Sequence, residues 1–375
     1  MNNQLKYTKV KELLRQQIGT RYPVGSKIPS TTALHKELGI SAGTVNRALQ
    51  DLVAEGVVER FEGRGTFVAR DDKDIGFVWP DATTDWFKTS YPSAVLHVAE
   101  AEAERQGKHL LVRAMRDYDK PEFVTPGATK VAGVLVLFSW CHQAILEYHR
   151  RNIPVVLVDP LVRTTGVPFV TSDHFSASRE AVLHLVRLGH RRIVHVTVDS
   201  LSDTIPYRER VFGYENAMHE AGLGEIAHIH RTSPIEGAHL PPEEEAAVRA
   251  RAVEKLLEMV DRTQPTACCC FDDIVAAWVI RTCLDRGIRV PDQMSVVGIN
   301  DNAMAEQIWP TLTTVHVPVQ EIARVAVRML DTLIQEGRLT GDGVILPVRL
   351  VERASTKALH ATKQATSGAT LTQAS

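Results

Sequence analysis

The chain has 375 residues, 44% of them hydrophobic and 23% charged, which is the composition of a soluble globular protein long enough for two or three domains. No apolar run approaches the roughly 20 residues that span a bilayer, and the opening segment MNNQLKYTKVKELLRQQ reads as an amphipathic helix and not as a secretory signal, so a cytoplasmic location and no membrane partner are expected. Residues 1–70 carry 11 Lys and Arg against 6 Asp and Glu, while the remainder carries 32 against 39, so a basic head that meets a polyanion sits on an acidic body.

Tyr7, Val10, Leu14 and Ile18 recur at helical spacing and predict a first helix, ended by Gly19 and the turn Tyr22-Pro23-Val24-Gly25. Ser30 caps a second helix with Ala33, Leu34 and Leu38, and Gly39 ends it. Ser41 caps a third helix whose inward stripe is Val45, Ala48, Leu49, Leu52 and Val53, leaving Gly43, Thr44, Asn46 and Arg47 outward. Two helices joined by a short Gly-containing turn form a helix-turn-helix, whose second helix enters the major groove. A helical hairpin with a solvated polar face would read the same as far as residue 54. Residues 57–68 separate the two: Val57–Phe61 and Thr66–Val68 are strand-like around Glu62-Gly63-Arg64-Gly65, a hairpin wing with an arginine at its tip. Glycines there let the backbone approach a duplex, and an arginine suits a narrow minor groove.

In Lys27-Ile28-Pro29-Ser30, Ser41-Ala42-Gly43-Thr44-Val45-Asn46-Arg47-Ala48-Leu49, Glu55-Gly56 and Gly63-Arg64-Gly65-Thr66-Phe67-Val68 the segment resembles the GntR family of winged helix-turn-helix regulators. The resemblance implies a DNA-facing set of Ser30, Thr31, Thr32, Ser41, Gly43, Thr44, Asn46, Arg47, Arg64 and Gly65. Thr32 and Ala42 stand where family members commonly carry arginine, so the operator is not transferable.

After a charged linker over residues 70–74, strands and helices alternate. Strands are predicted at Ile75–Trp79, Leu110–Val112, Val131–Phe138, Val155–Val158, Ile193–Val198, Ala267–Phe271 and Ser295–Ile299, with helices between them and a last one at Val319–Gln335. Such alternation gives parallel sheets covered by helices, and some 280 residues suit two lobes with a cleft at the carboxyl ends of the strands. The fold expected is therefore an α+β winged helix-turn-helix head over 1–69, then an α/β two-lobed body over 75–355, with a disordered tail over 356–375.

The body resembles the LacI-type effector domain, which is related to periplasmic sugar-binding proteins. The resemblance runs through Leu188-Gly189-His190-Arg191-Arg192-Ile193, Arg210-Val211-Phe212-Gly213-Tyr214, Val290-Pro291-Asp292-Gln293-Met294-Ser295-Val296-Val297-Gly298 and Leu312-Thr313-Thr314-Val315. A GntR-type head on such a body is the architecture of arabinose-repressor-like transcription regulators. The resemblance implies a repressor that binds double-stranded DNA as a homodimer and a sugar-like effector between the lobes, with lobe closure resetting the spacing of the two heads.

For the effector the candidates are Asp81, Trp86, Asp159, Arg210, Asp272 and Asn300. Arg210 is expected on a loop before a helix starting near Gly213, offering a guanidinium to vicinal hydroxyls. Trp86 would stack on a sugar face and Asp81 accept its hydroxyl protons. Asp159 and Asp272 follow strands and would serve as acceptors or as helix caps. Asp273 is expected to cap a helix. Asn300 stands where the family usually has Asp. His190 is read as structural, and Cys268, Cys269 and Cys270 as buried hydrophobes. No GxSxG elbow, HExxH or P-loop is present, so no catalytic residues, metal or cofactor are expected. Two rivals remain open on sequence alone: a solute-binding or chemosensory protein without DNA regulation, and a sugar-modifying enzyme with a DNA-tethering head.

Overall fold

The computed structural model describes residues 3–18, 20–23, 25–61, 63–69, 74–80, 90–115, 122–123, 131–139, 141–199, 202–232, 242–337 and 343–359. At the amino end, α1 (Asn3–Gln17), α2 (Thr31–Leu38) and α3 (Ala42–Ala54) enclose a core of Val10, Leu14, Leu34, Val45, Leu49 and Leu52. Ser30 accepts from Ala33 N at 3.2 Å and Ser41 from Thr44 N at 3.3 Å, so both serines satisfy amides that the first helical turn leaves open. Gly39 closes α2 at φ 65°, a left-handed conformation that glycine enters without penalty. Val53, expected inside, is exposed, because the stripe of α3 closes on Leu49 and Leu52. The hairpin of β2 (Val58–Phe61) and β3 (Gly65–Val68) gains a third strand, β1 (Lys27–Ile28), antiparallel to β3; two residues carry no period for a sequence reading to detect.

Beyond residue 74 the described residues form two six-stranded, mostly parallel sheets. The first is built from β4 (Asp74–Pro80), β5 (His109–Met115), β6 (Gly133–Leu137), β7 (Val155–Val158), β8 (Phe169–Ser172) and β14 (Gly343–Leu346), in the order β14-β8-β7-β6-β4-β5. The second is built from β9 (Ile193–Val198), β10 (His228–Thr232), β11 (Ala267–Cys270), β12 (Ser295–Asn300), β13 (Thr313–His316) and β15 (Arg349–Val351), in the order β10-β9-β11-β12-β13-β15. Every pairing is parallel except that of β15 with β13. The covering helices are α4 (Ser90–Arg105), α5 (His142–Arg150) and α11 (Val319–Glu336) on the first lobe, and α6 (His174–Arg187), α7 (Ile205–Glu220), α8 (Pro242–Thr263), α9 (Asp273–Asp285) and the short α10 (Met304–Gln307) on the second.

The chain passes between lobes after β8, after β13 and after β14. Asp173 N donates to Leu346 O at 3.0 Å, which ties two of these passages together. Buried apolar residues run from Ile75 and Phe77 through Ala177 and Leu185 to Val297 and Val315, so the core is continuous across the passages.

Thr356–Leu359, expected to belong to the disordered tail, pack on the second lobe. Thr356 Oγ1 meets Thr313 Oγ1 at 3.1 Å, Lys357 N donates to Ser295 Oγ at 3.1 Å, and Leu359 N donates to Leu188 O at 2.8 Å. Polar side chains on the end of the sheet hold this segment, so its small, polar composition does not leave it loose. The rest of that tail lies outside the described residues.

Candidate functional site

A polar cluster is buried where the carboxyl ends of both sheets meet the first passage. Arg210 lies inside α7 and not on a preceding loop, as the sequence reading had it. Thr204 caps the helix by accepting from Tyr207 N, and Pro206 in the first turn supplies a helical φ, so α7 starts well before Gly213. Arg210 is 5% exposed. Its Nη1 donates to the carbonyl of Phe271, its Nη2 donates to Asn300 Oδ1 at 3.3 Å and lies 3.5 Å from His174 Nδ1, and its guanidinium covers the Phe271 ring at 4.5 Å.

Asp159 follows β7 and faces the same cluster from the first lobe. Tyr91 Oη donates to Asp159 Oδ2, Thr171 Oγ1 donates to Oδ1 at 2.6 Å, and His174 Nε2 lies 3.8 Å from Oδ1. Burial pushes the Asp159 carboxyl up to about 6, against the pull of the Thr171 hydroxyl and the Arg210 charge. Burial and the Arg210 charge drive the His174 imidazole well below its usual range, so it is neutral. Burial lowers the Arg210 guanidinium, while Asp272 and Asp159 hold its proton on. Asp159, Asn300 and Asp301 have φ of 43°, 123° and 55°, conformations that cost a non-glycine residue on the order of 1–3 kcal/mol each. Strained backbone is thus present where β7 and β12 end, as it is at Phe138 after β6.

Of the two acids after β11, Asp272 takes the capping role that was one of its two expected parts, and Asp273 does not cap as expected. Asp272 caps α9, accepting from Val275 N at 2.8 Å. Asp273 turns inward, accepting from Thr314 Oγ1 at 2.5 Å and Asn302 N at 2.9 Å; burial pushes it up to about 7. Asp272 sits beside Arg210 only as a nearby charge. Asp81 and Trp86 lie outside the described residues. Tyr91, Thr171, His174 and Phe271 belong to the cluster and were not foreseen; Phe271, the last residue of the predicted strand Ala267–Phe271, is the one of them that the sequence reading set at the carboxyl end of a strand.

His190 is a brace, its ring nitrogens 3.0 Å from Thr266 Oγ1 and 3.1 Å from Lys357 O. Cys268, Cys269 and Cys270 are buried in β11 with unpaired thiols, which burial pushes up. Among the described residues no three His, Cys, Asp or Glu side chains are grouped to hold a metal ion, and no helix is long and apolar enough to cross a membrane.

On the head, Thr31 and Thr32 open α2, and Gly43 and Thr44 lie in the first turn of α3. The Ser41 and Thr44 hydroxyls are 2.8 Å apart and bonded to each other. Arg47 lies over the Tyr7 ring at 5.2 Å. In the wing, Phe61 and Phe67 meet edge to face at 5.6 Å and Arg64 lies over Phe61 at 5.8 Å, so the tip arginine rests on an aromatic base. Gly65 has φ 116°, and a Cβ there would come within 2.6 Å of Lys27 Cε, so glycine lets the lysine lie against the wing.

The bacterial regulatory proteins of the gntR family match residues 6–68, and the periplasmic binding protein-like domain matches residues 182–356. The chain joins a gntR-type head to a periplasmic-binding-protein-like body. It is 26% identical over 372 residues to the arabinose metabolism transcriptional repressor of Geobacillus stearothermophilus, covering 94% of this chain and 98% of that one. It is 32% identical over 215 residues to catabolite control protein A of Priestia megaterium, covering 57% of this chain and 61% of that protein. These relatives are transcription regulators. Among solved structures, the transcriptional regulator CelR in complex with cellobiose has a TM-score of 0.64 at 20% identity, covering 88% of this chain and all of that one. A LacI family regulator from Enterococcus faecium with bound ribose has a TM-score of 0.63 at 21% identity, covering 77% of this chain and all of that one. At such identities these two structures speak to the fold of the gntR-headed chain.

Proposed function

We propose that the chain is a cytoplasmic, effector-controlled transcription repressor. Its head, residues 1–69, binds an operator in duplex DNA as part of a homodimer, and its body, residues 75 to about 355, binds a sugar or sugar derivative between the lobes. The observation that carries the effector half is the buried Arg210, held by Phe271 and Asn300 on the second lobe beside His174 and Asp159. A guanidinium fixed in this way can donate in pairs to vicinal hydroxyls, and carboxylates on both sides can accept from them. Similarity to the arabinose metabolism transcriptional repressor supports the DNA half, and neighbours solved with cellobiose and ribose support a carbohydrate effector.

Ligand held by residues of both lobes stabilises one lobe orientation, and the three passages transmit it. In a two-fold dimer the spacing of the heads changes with it, and only one spacing matches both half-sites. Asp81, Trp86, Asp159, Arg210, Asp272 and Asn300 remain the effector set we assign, with His174 and Thr171 behind them. The test is a thermal-shift screen of pentoses, hexoses, their acids and their phosphates, followed by DNA retardation with the best compound. Stabilisation of the pure protein and a changed operator affinity are expected; a screen in which no sugar stabilises the protein would reject the effector reading.

A further inference from the structure

The third helix and the wing of the head share a side-chain hydrogen bond: Arg60 Nη2, on β2, donates to Asn46 Oδ1, on α3, across 3.1 Å. A guanidinium offers donors only, so the amide must turn its oxygen toward Arg60. This leaves Nδ2, with two N–H donors, as the part of Asn46 available to a base. The arrangement differs from those of the neighbouring arginines, since Arg47 lies over Tyr7 and Arg64 over Phe61.

An asparagine with both ends available recognises adenine by donating to N7 and accepting from the N6 amino group. The Asn46 oxygen keeps a second lone pair, but an amino group brought to it would meet the donors and the positive charge of Arg60. Guanine O6 and N7, and thymine O4, carry acceptors and suit both side chains at once.

We propose that Arg60 is a positioning residue for specificity: it fixes the Asn46 amide as a donor, so the pair selects guanine or thymine over the amino-bearing adenine and cytosine. This rests on the DNA-binding reading of the head, and the experiment separates the two. Duplexes with randomised sequence are offered to the full-length protein at two salt concentrations and the bound fraction is sequenced. Asn46→Ala marks the base that the amide reads as the position where preference collapses.

At that position the wild type should favour G or T by about fivefold or more, the low end of discrimination by a good base contact. Arg60→Met changes an exposed side chain, and its fold is checked by circular dichroism and melting. It should readmit adenine at that one position, cutting the preference below about twofold, with the other positions unchanged. The proposal is overturned if Arg60→Met weakens all sequences alike and reduces the salt slope by about one while the base preference stands, because Arg60 then only neutralises a phosphate. A wild-type preference for adenine there, or no collapse in Asn46→Ala, overturns it too. If the wild type enriches no sequence at all, it is the DNA-binding reading that falls, and the proposal with it.

Discussion

Arg210 Nη2 stands 3.3 Å from Asn300 Oδ1, so a residue midway along α7 holds the strained end of β12. The same guanidinium reaches the Phe271 carbonyl after β11, and its five donors are partly spent on the protein, which fixes the direction of those that remain. Arg210→Lys keeps the charge and loses the planar fork. It should weaken the best-binding sugar at least tenfold, equivalent to about 1.4 kcal/mol, the lower range for one hydrogen bond to a charged group. Ligand-free operator affinity should stay unchanged. Thermal shift and DNA retardation on one preparation check both. Unaltered sugar affinity would leave Arg210 as a brace for Phe271 and Asn300 alone.

Thr171 is buried and donates to Asp159 at 2.6 Å, and Val fills the same space without the hydroxyl. Thr171→Val should destabilise the protein by about 1–3 kcal/mol where Asp159 is ionised. The hydroxyl pulls the Asp159 carboxyl down from where burial alone would put it, so its loss raises that value above about 6. A carboxyl raised in the folded state favours folding most at low pH and loses that contribution as pH rises through its folded value. The difference between variant and wild type should therefore be larger at pH 8 than at pH 5. Urea melts at the two pH values measure it, and a pH-independent difference would show that Asp159 does not titrate there.

The head was legible because its signals are local: Ser30, Gly39 and Ser41 cap helices whose stripes lie within a few residues, and the glycines of the wing mark its turn. The cleft is assembled from Tyr91, Asp159, His174, Arg210 and Asn300, residues spread over most of the body, and no periodicity links them. Motif resemblance brought out Arg210, but the start of α7 depended on Thr204 and Pro206, which lie outside that motif. Asp272 and Asp273 show the limit more closely. Adjacent acids look interchangeable in sequence, and the extended backbone of Asp272, with φ −149° and ψ −177°, decides that it caps while Asp273 turns to Thr314. The strands β8, β10, β13, β14 and β15 escaped because, unlike the equally short and wholly apolar β7 and β11, they hold no continuous apolar run of four residues, and three to five residues give too little alternation to stand out.

His195 is buried in β9, stacked on Tyr214 at 5.3 Å, with Nδ1 3.0 Å from the Cys269 carbonyl oxygen. Burial drives it down to about 4, against the pull of the Cys269 carbonyl. A histidine lowered in this way is neutral in the folded chain while the unfolded chain takes up a proton near pH 6.5. Its contribution is present above that value and is lost as pH falls from about 6.5 toward 4, amounting to about 3 kcal/mol. His195→Asn keeps an N–H for the Cys269 carbonyl and cannot titrate. It should lower stability at pH 7.5 through the space it leaves, yet lose less stability than the wild type between pH 6.5 and 4.5. Parallel stability curves for the two proteins over that window would refute this.

Gly213 marks the closest approach of α7 to α6. A Cβ built there would strike the carbonyl oxygen of Phe175 and come within 3.3 Å of Arg179 N, and both are backbone atoms that cannot swing aside. The two helices would have to separate, loosening the Phe175–Phe212 contact at 5.4 Å and shifting Arg210 less than one turn away. Gly213→Ala should cost about 3 kcal/mol, at the upper end of overpacking penalties, even though alanine is the better helix former. Gly224→Ala is the matched control, since its nearest contact would be an ordinary 3.5 Å to His219 and its φ is not positive; it should stay within about 0.5 kcal/mol of wild type. Because the Gly213 strain enters on the helix that carries Arg210, the folded fraction of Gly213→Ala should also bind the best sugar more weakly. Loss of stability with sugar affinity intact would mean that α7 yields at its carboxyl end and leaves the arginine where it was.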